Sequence, residues 1–430
     1  MKIIEAKEVN AKNLNEIFKS RKRIPSYVDN LIKEIIKNVR SKGDKSVISY
    51  IEKYDKIKLD KSKLKVKKQE ILDAYTKISE DQLHAFKIAI KNIHNFHKIQ
   101  KDRLNYEEQI NTSLLGQKAT PINSVGIYSP SGRNPYPSSV LMCAIPAKVA
   151  GVKKIILCTP PIKGAKVEPT ILVAADLSGV DEIYRVGGAQ AIAAMAYGTE
   201  TIPSVNKIVG PGNIYVTTAK LLVSRDVAID LPAGPSELLI IADSKANTKF
   251  ITSDMLAQAE HDPNSIVILI TTSKKISEEV LIEIENQKKT LSRKEILESS
   301  IDKNGFIVLV NDINDAIDVT NEFAPEHLEI FTKKPMNLLN RIKNAGAIFL
   351  GEYSPVALGD YTIGTNHVLP TGGWAKIYSG LSTRDFMKTI SYIYCSLKHF
   401  NKIAEATISL AKLEGLDGHV ESIRIRRKTK

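Results

Sequence analysis

The chain has 430 residues, three cysteines and a formal net charge of +13 from 61 basic and 48 acidic side chains. That length gives room for roughly two or three domains with buried cores, and a 43% hydrophobic, 25% charged composition excludes a disordered or collagen-like chain. Cys143, Cys158 and Cys395 are too few for a disulfide framework, and no apolar run reaches the roughly eighteen residues of a membrane span. The opening Met1-Lys-Ile-Ile-Glu turns charged too early for a secretory signal, so the expected location is the cytoplasm.

The basic excess is spread over stretches such as Lys56–Lys68 and Lys87–Lys101, which reads as a solvated lysine-rich surface. No zinc finger or aromatic RNP-like strand accompanies it, and the dense run Arg424–Lys430 is terminal. No specific nucleic-acid partner and no membrane partner are expected.

In chain order, residues 1 to about 120 carry apolar stripes at helical spacing, among them Ile71, Ala74, Tyr75 and Ile78, then Phe86, Ile90, Ile93 and Phe96/His97. The period then changes. Apolar runs at Val125–Tyr128, Lys154–Cys158, Glu182–Val186 and Lys207–Val209 predict buried strands, separated by helical patterns at Ser138–Val149, Glu168–Leu177, Ala189–Tyr197 and Ile214–Val223. After the Pro232–Ser236 break a second series follows. Its strands are predicted at Leu238–Ala242, Ile266–Thr271, Phe306–Val310, Leu328–Phe331 and Ala347–Leu350, and its helices at Lys249–Glu260, Glu278–Asn286, Ile313–Glu322 and Leu338–Asn344. Strand–helix alternation of this kind predicts an α/β chain with two Rossmann-like parallel sheets. Ser382–Leu413 reads as helix, and Gly415 and Gly418 lead into a short tail of β character.

Only eight histidines are present, so their placement is informative. His84, His94, His97 and His399 lie in ordinary helical stretches. The other four sit beside glycine, proline or carboxylate: Gln258-Ala-Glu-His261, Pro325-Glu326-His327, Asp360 to His367, and Glu414 to His419. Gln258 and His261 share one helix face. Together these segments offer oxygen and nitrogen donors without cysteine, the donor chemistry of a catalytic rather than a closed zinc site. Glycine turns end three strands, at Val125–Gly132, Arg185–Gln190 and Lys207–Asn213. Ligands of parallel sheets bind beyond such carboxyl ends, yet no G-x-G-x-x-G fingerprint follows a strand.

In combination these segments resemble the histidinol dehydrogenase family. The runs that carry the resemblance are Gly126–Met142, Gly187–Ala194, Val209–Val216, Asp230–Glu237, Ala257–Asp262, Ala324–Glu329, Gly364–Gly373 and Glu414–Arg424, in that order. It implies an NAD-dependent oxidation of L-histidinol, through the aldehyde, to L-histidine, the last step of histidine biosynthesis. Carried over by motif, the zinc ligands are Gln258, His261, Asp360 and His419, and the general-base pair is Glu326 and His327. Substrate contacts are Ser236 and Glu414, with the four ligands and His327; NAD contacts are Tyr128, Gln190 and Asn213. The family also implies a homodimer whose C-terminal residues complete the partner's site. The first-strand turn reads Pro130-Ser131-Gly132, where the family carries Pro-Gly-Gly.

The domain expectation is fourfold: 1–20 packing with the C-terminal region, 21–120 with 237–381 as the larger α/β domain, 121–236 as the NAD-binding domain, and 382–430 reaching the partner subunit. The chemistry agrees with these residues. An alcohol oxidation needs a base near neutrality, which suits His327. The aldehyde step needs activated water, which the neighbouring carboxylate can supply, since no cysteine stands in these segments for a thiol route. Alternatives are a dehydrogenase of another amino alcohol or polyol, a zinc hydrolase on the same scaffold, and a nucleic-acid-binding protein.

Overall fold

The computed structural model describes residues 1–5, 21, 25–131 and 134–428. Strand β1 (Lys2–Ile4) comes first, followed by the helices α1 (Ser26–Lys42) and α2 (Glu80–Asp102). α1 buries Val28, Ile32, Ile35 and Val39, a single stripe at three-to-four spacing. α2 starts at Ser79, whose hydroxyl accepts from the Gln82 amide while the Gln82 side chain returns to the Ser79 amide; this capping box satisfies two otherwise orphaned donors. A hairpin of β2 (Tyr106–Ile110) and β3 (Ser113–Pro121) leads into the first α/β series.

That series runs β4 (Ser124–Tyr128), α3 (Pro137–Ala150), β5 (Lys154–Thr159), α4 (Pro169–Leu177), β6 (Glu182–Arg185), α5 (Gly188–Tyr197), β7 (Lys207–Val209), α6 (Ile214–Val223) and β8 (Ala228–Ile229). Its strands form an all-parallel sheet in the order β6-β5-β4-β7-β8. The second series holds β9 (Glu237–Ala242), α7 (Thr248–Ala259), β10 (Ile266–Thr271), β11 (Gly305–Leu309), α8 (Ile313–Phe323), β12 (His327–Phe331), β13 (Ala347–Leu350) and the short helix α9 (Val356–Tyr361). With β1 it makes a six-stranded parallel sheet ordered β1-β11-β10-β9-β12-β13. The expected α/β class with two parallel sheets is what the structure shows.

Three expectations are corrected. Residues 106–121 are a β-hairpin, not helix, and Met387–Tyr394 is strand β14, antiparallel to β3 from Met387↔Pro121 to Tyr394↔Leu114. β14 is rich in β-branched and aromatic residues (Thr389, Ile390, Tyr392, Ile393 and Tyr394), which favours strand, but its partner lies far away in sequence and leaves no local signal. The tail after Gly418 is helical: α10 (Leu397–Leu413) is followed by α11 (Asp417–Lys428), and Val420 and Ile423 pack on Ile408 and Ala411.

The grouping of 21–120 with 237–381 is also corrected. Val28, Ile32, Val39, Val47 and Ile51 share a core with Ile156, Ile192 and Ile208 of the five-stranded unit. Ala89 and Ile93 of α2 join Val140, Leu157 and Ile171 on its other face. The stripes of 26–102 thus cover the smaller sheet. Of residues 1–20, Lys2–Ile4 borders β11 at the edge of the larger sheet, and residues 6–20 lie outside the described residues. Val368, Leu381 and Phe386 belong to the smaller unit's core, so the segment beyond α9 ties the two α/β units together. Among the described residues no helix is long and apolar enough to cross a membrane.

Candidate active site between two sheets

In the five-stranded sheet the chain leaves β4 to one side through β5 and β6 and returns to the other through β7. The crevice between the carboxyl ends of β4 and β7 is therefore a topological switch point, where such sheets bind ligands. Tyr128 closes β4 and is buried; its hydroxyl accepts the Gly188 amide at 3.1 Å. Gln190 is buried in the first turn of α5, and a Cβ on Gly188 would stand 2.8 Å from its Oε1. Gly210 has φ +118°, and a Cβ there would lie 2.1 Å from the Tyr128 carbonyl oxygen; only glycine fits. Beneath this turn the buried Lys220 ammonium pairs with Asp230 and donates to Gly210 O at 3.0 Å, while the Gly210 amide donates to Asp230 Oδ2 at 2.7 Å. Asn213 caps α6, its Oδ1 accepting the Tyr215 and Val216 amides at 3.1 Å. Bare backbone at this edge matches what a dinucleotide needs. Gly132 lies outside the described residues.

The second cluster breaks the carboxyl-end rule. Glu326 and His327 stand at the amino end of β12, beside Glu237 at the amino end of β9. Ala324 ends α8 in the left-handed region with φ 52°, an unusual conformation for a residue with a Cβ. It turns the chain sharply into Pro325-Glu326-His327. His327 Nδ1 lies 3.0 Å from the Glu237 carbonyl oxygen. A carbonyl only accepts, so Nδ1 carries the hydrogen and Nε2 holds the lone pair in the neutral ring. Nε2 is buried without a hydrogen-bond partner among the described residues, and Asp360 Oδ1 is 3.7 Å away. Glu326 Oε2 accepts the Glu237 amide at 2.9 Å and lies 3.5 Å from His327 Nδ1.

Electrostatics follow from burial and crowding. Burial raises the Glu326 carboxyl to about 8. Burial pulls His327 down, but Glu326 and Asp360 more than reverse that and hold the imidazole above its ordinary value. His261 and His367 are lowered by burial. Burial pushes Asp360 up, but the nearby imidazoles of His327, His367 and His261 outweigh it and leave the carboxylate below its usual range. Gln258 is buried near the end of α7, and His261 follows one turn on, its amide donating to Gln258 O at 3.4 Å. His367 Nδ1 donates to Asp360 O at 2.9 Å, and its Nε2 meets Ser139 Oγ at 3.2 Å. Through Ser139 the cluster touches α3 of the smaller unit, so it lies where the two units meet.

Gln258, His261, Glu326, His327 and Asp360 are thus brought to the amino ends of β9 and β12, with Ser236 half-buried just before β9. Glu414 and His419 are not: both are exposed on the α10–α11 hairpin. Among the described residues no group of three His, Cys, Asp or Glu side chains stands together to hold a metal, so His419 of this chain does not join its own His261 and Asp360. Cys143 and Cys158 are buried, with thiols pushed up by burial, and Cys395 is exposed. Sequence reading assigned no role to Glu237, although it ends the Asp230–Glu237 run.

The sequence profile of the histidinol dehydrogenase family matches residues 19–427. The chain belongs to the histidinol dehydrogenase family. It is 49% identical over 397 residues to the histidinol dehydrogenase of Clostridium acetobutylicum, covering 92% of each chain. With that of Methanocaldococcus jannaschii it shares 46% over 431 residues, 100% of this chain and 99% of the other. The crystal structure of histidinol dehydrogenase from Elizabethkingia anophelis superposes with a TM-score of 0.94 at 37% identity, covering 100% and 98% of the two chains. An acetylating aldehyde dehydrogenase from Geobacillus thermoglucosidasius reaches a TM-score of 0.50 at 12% identity over 90% of this chain and 97% of that one, a likeness of fold alone. Family membership makes this protein an enzyme, a dehydrogenase of histidine biosynthesis.

Proposed function

We propose that the chain oxidises L-histidinol through L-histidinaldehyde to L-histidine in the cytoplasm, with zinc and NAD, as a homodimer with shared sites. The observation that carries the catalytic reading is His327: a buried imidazole whose Nδ1–H is fixed on a backbone carbonyl and whose Nε2 has no hydrogen-bond partner among the described residues. With the ring neutral, that arrangement suits a base for the hydroxyl proton of an alcohol, and the carboxylates that hold the imidazole above its ordinary value make it a stronger one. Glu326, whose carboxyl burial raises to about 8, is in its ionised form a stronger base than an ordinary carboxylate and takes the proton of the water that adds to the aldehyde. The hydrated aldehyde then presents a second hydroxyl to His327, so one base serves both oxidations. NAD supplies the oxidant at each step, and Tyr128, Gln190 and the Asn213 amide nitrogen are the residues that would hold it.

The donor set fits zinc. Gln258, His261 and Asp360 give one oxygen amide, one imidazole with its proton affinity lowered by burial and one carboxylate, and His419 would complete four ligands. Bound there, zinc supplies a fixed positive charge that holds the substrate's nitrogens; Ser236 and Glu414 would fix its remaining polar groups. Since His419 stands apart from His261 and Asp360 within one chain, the fourth ligand is best supplied by a second copy. Exposed apolar side chains on the C-terminal arm favour such a contact: Ile393 is 74% exposed, Leu410 64% and Leu413 84%.

The test is stoichiometry with separated half-reactions. Two NADH should form per histidinol consumed, and Glu326→Gln should slow oxidation of supplied histidinaldehyde more than that of histidinol. One NADH per histidinol, or equal loss in both steps, contradicts the assignment.

A further inference from the structure

One residue enclosed beside the catalytic pair comes from the far end of the chain. The Glu237 peptide is the shared support of that pair: its amide donates to Glu326 Oε2 at 2.9 Å and its carbonyl accepts from His327 Nδ1 at 3.0 Å. Whatever fixes the position of residue 237 therefore aims both side chains. β9 fixes it on one side. On the other, the Glu237 carboxylate is buried; its Oε1 takes the Gly372 amide at 2.9 Å and Arg21 Nη1 at 2.9 Å.

Arg21 does more than neutralise that carboxylate. Its Nη2 donates to the Phe323 carbonyl at 2.9 Å, and its guanidinium carbon lies 3.7 Å from the centre of the Phe323 ring. Phe323 is the last residue of α8, four positions before His327. One guanidinium thus bridges the start of β9, which orients the pair, and the helix end from which the pair departs. Its side chain is only 4% exposed and that of Glu237 2%. The planar fork of arginine reaches two acceptors at once and lies flat on an aromatic ring, which a lysine ammonium cannot do.

We infer that Arg21 is a positioning residue for catalysis, holding Glu326 and His327 in register through Glu237 and Phe323. The inference rests on the reading of Glu326 and His327 as the catalytic pair. The two groups that Arg21 bridges, the Glu237 carboxylate and the Phe323 carbonyl, support Glu326 and His327. Its loss should therefore appear in turnover and not in substrate or metal binding. A displacement of the pair by a fraction of an ångström is felt in kcat by roughly ten- to a hundredfold.

The experiment uses the full chain loaded with zinc. Arg21→Lys keeps one charge but loses the second arm and the ring contact; Glu237→Gln keeps the size and one oxygen acceptor. Both should fold with full zinc content and KM values for histidinol and NAD within about twofold of wild type, and lose about tenfold in kcat for both oxidations; Arg21→Ala, if it folds, should lose more. A wild-type kcat in zinc-replete Arg21→Lys overturns the inference. So does a loss carried by KM or by metal content with kcat unchanged, which marks Arg21 as a support of the whole fold. Glu326→Gln and His327→Gln run alongside. If those two are nearly inactive while Arg21→Lys is normal, the inference alone fails; if they are active, the reading of the catalytic pair fails.

Discussion

His327 and Asp360 face each other across 3.7 Å, from Nε2 to Oδ1, although 33 positions part them in the chain and they are given opposite tasks, base and metal ligand. Their contact couples the tasks but substitution should separate them. Asp360→Asn is expected to empty the metal site and abolish turnover, whereas His327→Gln should keep its metal and slow alcohol oxidation by roughly two to four decades. Elemental analysis of the purified variants beside NADH formation decides it: a metal-replete, active Asp360→Asn removes Asp360 from the ligand set.

A shared site can be read by complementation. His261→Ala and His419→Ala should each be inactive, and refolded together should form about half mixed dimers by random pairing, each with one intact site. Roughly a quarter of wild-type activity is then expected to return. A silent mixture, with mixed dimers verified by mass, would show that each site is built from one chain.

At the other sheet, Gly210→Ala places a Cβ where the Tyr128 carbonyl oxygen already stands. The turn must open, so KM for NAD should rise about tenfold or more while KM for histidinol changes little. Initial rates with each substrate varied in turn give the answer, and an unchanged KM for NAD places the dinucleotide elsewhere.

His97 is buried in α2, donating from Nδ1 to Gln100 Oε1 at 2.8 Å, with the Asn366 amide 3.4 Å from Nε2. Burial lowers it from 6.5 to about 4. Between those values the unfolded chain binds a proton that the folded one refuses. Stability is therefore complete above pH 6.5 and falls as pH drops through the folded value, by up to about 3 kcal/mol. Denaturant midpoints taken from pH 7 to pH 4 should show that slope, and His97→Gln should flatten it. An equal slope in the variant would assign it to other groups.

Local pattern made much of this molecule legible. β7, β10 and β13 begin and end where their apolar runs do; for β10, buried along its whole length, the reason is that a strand covered on both faces must be apolar throughout. Glu326-His327 was visible for a different reason: a carboxylate and an imidazole between proline and an apolar run have few structural uses. β14 was hidden, since its partner β3 lies some 270 positions upstream and its helical neighbours dominate the window. Arg21 was hidden more deeply. It meets Glu237 across 216 positions, and one arginine of the basic run Arg21-Lys22-Arg23 carries no pattern that sets it apart.

Glu326 and His327, the proposed catalytic pair, lie at the amino end of β12, opposite the carboxyl-end rim of the larger sheet. Strands of five or six residues at about 3.3 Å per residue put that rim roughly 17 Å from Glu326 and His327. Its connections, 243–247 after β9 and 332–335 after β12, are partly or fully exposed and tied to each other chiefly by Asp243, whose Oδ2 accepts the Lys333 amide at 2.8 Å. An affinity tag, fluorophore or tether grafted at the exposed Lys334 would sit on the rim opposite Glu326 and His327. The enzyme could then be immobilised sheet-first with both crevices open to solution.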